Sequence, residues 1–292
     1  MTGMTIGMVG LGRMGAGLAA RLGGAGHTVV GYDRDPARSG CASIEELLGR
    51  LPAPRVVWLM VPSGEATEAA ITEAAGLMRA GDVLIDGGNS YYKDSVRRGK
   101  QLAERDIRFL DIGTSGGIWG PENGFCLMAG GDRSAFEYVE PVLAALAPPG
   151  GFAYLGPAGA GHYAKMVHNG IEYGMMQAYA EGFDLLKHSG YDFDLRELAG
   201  LWNQGSVVRS WLLELAERAF ARDPGLDSLQ GYVEDSGEGR WTVIEGVEKG
   251  VNVAVLAQAL FSRFTSREEN AFAMRVLAAL RNEFGGHPVR AH

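Results

Sequence analysis

The segment GAGHYAKMVHNGIEYGMMQ, Gly159 to Gln177, sets His162, Lys165, His168, Asn169 and Glu172 into a background of Met, Val, Ile and Gly. Ionisable side chains are rare in apolar runs because each must be desolvated and partnered. On a helix advancing about 100° per residue with Lys165 as origin, Glu172 falls at about −20°, Asn169 at about +40°, His168 at about −60°, His162 at about +60° and Tyr173 at about +80°. The set spans an arc of roughly 140°, one face of the helix. The opposite face carries Val167, Gly170, Gly174 and Ala178, small or apolar residues suited to close helix packing. The expectation is a buried helix whose polar stripe lines a cleft. A desolvated Lys has its pKa lowered toward neutrality, where it can take a proton from a substrate hydroxyl; a Glu in the same cleft can have its pKa raised and serve as an acid. The alternative is an internal Lys–Glu pair that only satisfies buried charge.

A second constellation lies at the N-terminus. IGMVGLGRMGAGLAARL holds G-x-G-x-x-G as Gly10, Gly12 and Gly15, after a strand-like run and at the start of a helix-like one. Gly10 would allow the tight turn, Gly12 the approach of a pyrophosphate and Gly15 the packing of helix on sheet, with helix N-terminal amides meeting the phosphates. In a chain with 44 glycines the pattern alone is weak. Context strengthens it, because HTVVGYD ends in Asp33 about 20 residues further on, where an acid accepts from an adenosine ribose. The alternative is a structural glycine turn. Asp33 opposes a 2′-phosphate and favours NAD, whereas Arg34 could pair with that phosphate and favour NADP. NAD is the expected cofactor, with NADP as the alternative.

These residues need elements to hold them. From Thr5 to about Leu155 the runs TIGMVGL, HTVVGYD, VVWLMVP, DVLIDGG, IRFLDIG and FCLMAGG alternate with helix-like segments such as Ile44 to Leu48, Glu65 to Met78 and Ser95 to Glu104. That alternation predicts a mostly parallel, doubly wound, Rossmann-like α/β sheet. Beyond Gly159 the period is helical throughout, over about His162 to His188, Leu195 to Trp202, Val207 to Arg222, Trp241 to Glu248, Ala254 to Arg263 and Glu268 to Asn282. The expected organisation is a dinucleotide-binding domain over 1–158 and an all-α substrate and dimerisation domain over 159–292. RDPGLDSLQGYVEDSGEG is expected to be an irregular surface connection.

Composition narrows the partners. A net charge of −8 without a basic run argues against nucleic acid and anionic membranes. Cys41 and Cys126 form no CxxC motif and are expected to be small buried residues of a reduced protein. No metal site is expected. The N-terminus lacks a basic n-region and no run reaches membrane-spanning length, so a cytoplasmic location is expected.

Taken in order, GLGRMG, GDVLIDGGNSYYKDSVRR, GTSGG and GAGHYAKMVHNGIEYG resemble the motifs of the decarboxylating 6-phosphogluconate dehydrogenases, within the β-hydroxyacid dehydrogenases. The resemblance covers nearly the whole chain, and KMVHNGIEYG is its most specific part. It implies Lys165 as general base and Glu172 as general acid, with Asn169 as a further catalytic residue. It implies cofactor contacts at Gly10, Leu11, Gly12, Arg13, Met14, Gly15, Asp33, Arg34, Val61, Pro62 and Asn89. Asn89, Ser115, Gly116, Gly117, His168, Asn169 and Tyr173 match substrate-binding positions. FSRFTS places Arg263 on a phosphate-binding arginine, and LRNEFGGH places Arg281 and His287 on a C-terminal pair that reaches a neighbouring subunit's site. From the residues alone Arg263 could equally be a surface charge and His287 a tail residue. His162 is assigned a packing role at the helix start.

The chain also departs from the longer members. Ser236 stands where a phosphate-binding Lys is expected before GRWT, leaving Arg263, Arg281 and Arg240 to meet phosphate charge. Ile118 and Trp119, in IWGPENG, follow SGG in place of paired Glu, and YDRD replaces an Asn-Arg-Thr of NADP-dependent members. The short length implies a homodimer or homotetramer. The implied activity is oxidative decarboxylation of a phosphorylated sugar acid, 6-phosphogluconate, to ribulose 5-phosphate with hydride transfer to NAD. The rivals are a non-decarboxylating β-hydroxyacid dehydrogenase or imine reductase, and a non-catalytic dinucleotide-binding regulator.

Overall fold

The computed structural model describes residues 3–290. Its first compact unit runs to His168 and its second starts at Asn169. The first unit alternates β1 (Thr5–Val9), α1 (Arg13–Gly24), β2 (Thr28–Tyr32), α2 (Ile44–Gly49), β3 (Val56–Leu59), α3 (Glu65–Leu77), β4 (Val83–Asp86), α4 (Tyr92–Ala103) and β5 (Arg108–Ser115). There follow a short turn of helix over Gly117–Trp119, α5 (Gly120–Asn123), β6 (Cys126–Gly131), α6 (Arg133–Leu146), β7 (Phe152–Gly156) and α7 (Ala160–Lys187), the helix that continues into the second unit.

The strands form one sheet in the order β2-β1-β3-β4-β5-β6-β7. Each run spends one residue on one side of the sheet and the next on the other. Ile6, Met8, Trp58 and Ile85 pack against Leu18 of α1 and Leu143 of α6. Val9, Val57, Leu59 and Leu84 pack against Leu47, Ile71 and Leu102 of α2, α3 and α4. Burial on both faces explains why these strands are near-continuous apolar runs. The strand order reverses around β1, and such a switch point at the C-terminal ends of the strands is where an open α/β sheet binds ligands.

The sheet is parallel except between β5 and β6. Residues 116–125 are too few for a crossover, which takes a dozen or more, so the chain turns back antiparallel. β7, parallel to β6, was absent from the apolar runs read in the sequence; it is an edge strand with Ala153 and Leu155 exposed, so its apolar signal is diluted.

The second unit contains the rest of α7, then α8 (Leu195–Trp202), α9 (Trp211–Arg222), α10 (Glu238–Lys249), α11 (Ala254–Thr265) and α12 (Phe272–Gly285). Phe183 of α7 packs with Ala199, Leu213 and Phe220 of α8 and α9. Gly170 and Gly174 behave as expected of a packing face: a Cβ on Gly170 would lie 2.7 Å from Thr242 of α10, and one on Gly174 3.1 Å from Leu256 of α11. Ala178, in contrast, is exposed, as are Ile171 and Met175. α9 starts at Trp211 rather than Val207, because Ser210 adopts an extended conformation and its hydroxyl caps the helix through the Leu213 amide. α12 starts at Phe272 rather than Glu268, since the chain closes α11 with turns from Arg267 to Phe264 and from Glu268 to Thr265. Residues 223–237 are irregular, as expected. No described helix is long and apolar enough to cross a membrane.

Candidate active site

The glycine loop follows β1 at the switch point. Gly10 has φ +92°, and a Cβ there would lie 2.4 Å from the Met60 carbonyl oxygen. A Cβ on Gly15 would lie 1.9 Å from the Gly10 carbonyl oxygen, so only glycine lets α1 start this close to its own loop. At Gly12, the residue before α1, a Cβ would meet nothing within 4 Å, which leaves room for a ligand. No acidic residue stands in the first turn of α1, whose amides are therefore open to an anion.

A cavity of ≈ 250 Å³ is lined by Gly10, Gly12, Asp33, Arg34, Val61 and Pro62, together with Tyr32, Met60 and the α3 residues Ala66, Ala69, Ala70 and Glu73. The α3 residues were missed in the sequence because their spacing reads as an ordinary amphipathic helix. Leu11 lies on the same loop, and Arg13 and Met14 open α1. Asp33 accepts from the Asp35 amide at 2.8 Å and the Leu11 amide at 2.6 Å, and these two donors hold its carboxyl below the usual range. The residues present fit a dinucleotide, and the carboxylates of Asp33 and Glu73 both line the cavity.

Lys165 is set by its own helix start. Asp111, fully buried in β5, accepts from the Gly159 amide at 2.7 Å and the His162 amide at 2.8 Å, so a carboxylate closes the N-terminus of α7. Burial pushes the Asp111 carboxyl up, while the His162 ring and the two backbone donors pull it down. His162, 1 % exposed, places Nδ1 2.7 Å from the Ser95 hydroxyl of α4 and 4.0 Å from Asp111 Oδ2. It joins α7 to α4 and β5 as a buried polar anchor. Close packing completes the seat: a Cβ on Gly161 would lie 2.3 Å from the Asp111 carbonyl oxygen, and one on Gly113 2.3 Å from the Lys165 Cβ. Lys165 is left 7 % exposed.

Neighbouring loops carry other expected residues. Ser115 ends β5 with its hydroxyl 3.4 Å from His168 Nε2. Gly116 and Gly117 follow with φ +137° and +52°, a turn that side chains would strain. Ile118 is exposed and Trp119 half-buried in the short helical turn. Asn89 is exposed on the loop after β4. That loop starts from Asp86, which accepts from the Gly88 amide and pairs with the buried Arg98 at 3.2 Å.

In the second unit Asn169, 9 % exposed, donates from Nδ2 to Glu238 at 3.0 Å. Tyr173 is buried; its hydroxyl accepts from the Ser236 amide at 3.1 Å, and the Arg263 guanidinium stacks 3.5 Å from its ring centroid. Arg263 also donates to the Glu234 carbonyl. Arg240 proves to be engaged: Asp235 accepts from it at 2.5 and 3.1 Å and pairs with Arg267 at 3.2 Å. Glu172 is half-buried, while Arg281 is exposed on α12 and His287 lies just beyond that helix. Glu238, Asp235 and Arg267 were not foreseen, since their partners are remote in sequence. Among the described residues no three His, Cys, Asp or Glu side chains group as metal ligands.

A glycine loop, a bare helix N-terminus and an acid-lined cavity at a switch point suit a nicotinamide dinucleotide, whose chemistry is hydride transfer. The chain falls in the class of nicotinamide-dependent oxidoreductases. Residues 5–156 match the NAD binding domain of 6-phosphogluconate dehydrogenase, and residues 161–283 match that enzyme's C-terminal domain. A NAD(+)-dependent, decarboxylating 6-phosphogluconate dehydrogenase of Haloferax volcanii is 43% identical over 98% of both chains. A decarboxylating 6-phosphogluconate dehydrogenase of Lactococcus lactis is 35% identical, with 98% of this chain covering 66% of that one. The solved 6-phosphogluconate dehydrogenase of Plasmodium falciparum, studied with NADP+ and with 6-phosphogluconate, superposes with a TM-score of 0.83 at 30% identity, over 99% of this chain and 66% of that one. The chain belongs to the 6-phosphogluconate dehydrogenase family.

Proposed function

We propose that the protein oxidatively decarboxylates 6-phosphogluconate to ribulose 5-phosphate and CO2, with NAD as hydride acceptor. The observation that carries this reading is the seat of Lys165: a buried amine on α7, its helix start pinned by Asp111, in a chain whose two parts match both domains of the family.

A nicotinamide dinucleotide held by Gly10, Gly12 and Asp33 would supply the acceptor for the hydride that leaves C3 of the sugar acid. Lys165 takes the C3 hydroxyl proton, and the same ammonium then hydrogen-bonds the ketone oxygen. That oxygen receives the electron pair released when the bond to the carboxylate breaks and CO2 departs. Glu172 delivers a proton to the enediol carbon that becomes C1 of ribulose 5-phosphate. Ser115, Gly116 and Gly117 hold the carboxylate, and Asn89, His168 and Asn169 meet the hydroxyls. Tyr173 and Arg263 receive the phosphate, a dianion suited to a guanidinium. The test is initial rate with 6-phosphogluconate against gluconate: a strong preference for the phosphorylated acid is expected, and equal rates would overturn the phosphate assignment.

NAD is preferred over NADP because Asp33 and Glu73 oppose a 2′-phosphate while only Arg34, among the cavity residues, favours it. Asp33→Asn is expected to move the ratio of kcat/KM for NAD to that for NADP toward NADP by about tenfold, the equivalent of about 1.4 kcal/mol. An unchanged ratio would remove Asp33 from cofactor choice.

The chain acts as a homodimer or homotetramer. α12 supports this, because Phe272, Leu277 and Leu280 are 70%, 53% and 55% exposed, an apolar surface suited to a second copy. Arg281 and His287 then complete the phosphate site of the neighbouring subunit.

A further inference from the structure

Glu238 begins α10 and is 2% exposed. Its Oε1 accepts from Asn169 Nδ2 at 3.0 Å, while Oε2 is buried without a hydrogen-bond partner among the described residues. The contact is enforced by close packing of the two helices. A Cβ on Gly239 would lie 2.4 Å from the Tyr173 ring, and one on Gly170 2.7 Å from Thr242. Thr242 in turn donates its hydroxyl to the Glu238 carbonyl at 2.8 Å. A carboxylate only accepts, so the amide of Asn169 must turn its NH2 toward Glu238 and its carbonyl oxygen away.

We infer that Glu238 is a positioning residue: it fixes the amide of Asn169 so that Oδ1 meets the substrate and accepts a hydrogen bond from a hydroxyl of the sugar acid. This rests on Asn169 as a substrate-binding residue in the function proposed above. An acidic residue in a first helical turn also favours the helix through its dipole, a purely structural role that predicts changes in melting temperature without changes in kinetics.

The two roles separate by variants assayed for kcat/KM with 6-phosphogluconate and for its Kd by calorimetry, with melting temperature and NADH affinity as controls. Glu238→Ala is expected to lower kcat/KM and weaken binding by about tenfold, the worth of one buried hydrogen bond. Glu238→Gln keeps an acceptor for Nδ2 and is expected to retain most of the activity. Asn169→Asp sets two carboxylates together and is expected to lose about a hundredfold. The exchange Asn169→Asp with Glu238→Gln restores a donor to an acceptor and leaves a carboxylate oxygen toward the substrate, so it is expected to regain at least about tenfold over Asn169→Asp. Unchanged kinetics in Glu238→Ala, a loss in Glu238→Gln equal to that in Glu238→Ala, or no recovery in the exchanged pair would each overturn the inference. The wild-type rate on 6-phosphogluconate tests the functional reading separately, and the Kd values read the contact without turnover.

Discussion

Lys165→Met is expected to lower kcat by about 10²–10⁴-fold, the usual worth of a general base. Met suits the test because it fills a similar volume with an apolar stem, and Lys165 is 7 % exposed in a seat built from Asp111, Gly113 and Gly161. The Asp111 bonds reach backbone amides of Gly159 and His162, so the helix start survives the loss of the amine. Melting temperature and NADH affinity should stay near wild type while kcat falls. Turnover close to wild type would remove Lys165 from the chemistry.

Gly113→Ala is expected to lower kcat by about a hundredfold without touching an ionisable group, because a displacement of about 1 Å at a reacting group carries that penalty. The added Cβ would stand 2.3 Å from the Lys165 Cβ, 3.0 Å from its Cγ and 3.1 Å from the Gly161 carbonyl oxygen. Gly113 does not have a positive φ, so the effect is one of space and not of backbone strain. The Lys165 stem must shift, and overpacking of this kind also lowers stability by about 1–3 kcal/mol. NADH affinity is the control, since the glycine loop lies at β1. A folded Gly113→Ala protein with full kcat would show that the Lys165 position is not set by this contact.

The sequence made some of this geometry legible. Gly10 and Gly15 each have a backbone reason to lack a side chain, a positive φ at one and a close backbone approach at the other, and such reasons follow local rules that survive folding; Gly12 has none in the chain itself, and its open side leaves room for a ligand. The polar arc of α7 was legible for the same cause: helical spacing alone puts Lys165, Asn169 and Tyr173 on one side, and all three are buried. The reversal at β6 was hidden because it depends on how short residues 116–125 are, not on the apolar pattern. The anchors of the site were hidden because they join distant positions, Asp111 to His162 and Asn169 to Glu238. One signal for them existed. Asp86 and Asp111 interrupt the apolar runs DVLIDGG and IRFLDIG, and a carboxylate inside a buried strand must have a partner elsewhere in the fold. The apolar exposure of Ile171, Met175 and α12 was not legible from helical period, which marks a face as apolar without saying what covers it.

In the proposed reaction, oxidation and loss of the carboxyl group occur in one turnover. This is tested by supplying 6-phosphogluconate labelled at C1 with NAD and measuring labelled CO2 against NADH. Equal amounts of the two are expected, with ribulose 5-phosphate as the remaining product. NADH formed while the label stays in a sugar acid would contradict it and leave a dehydrogenase that does not decarboxylate.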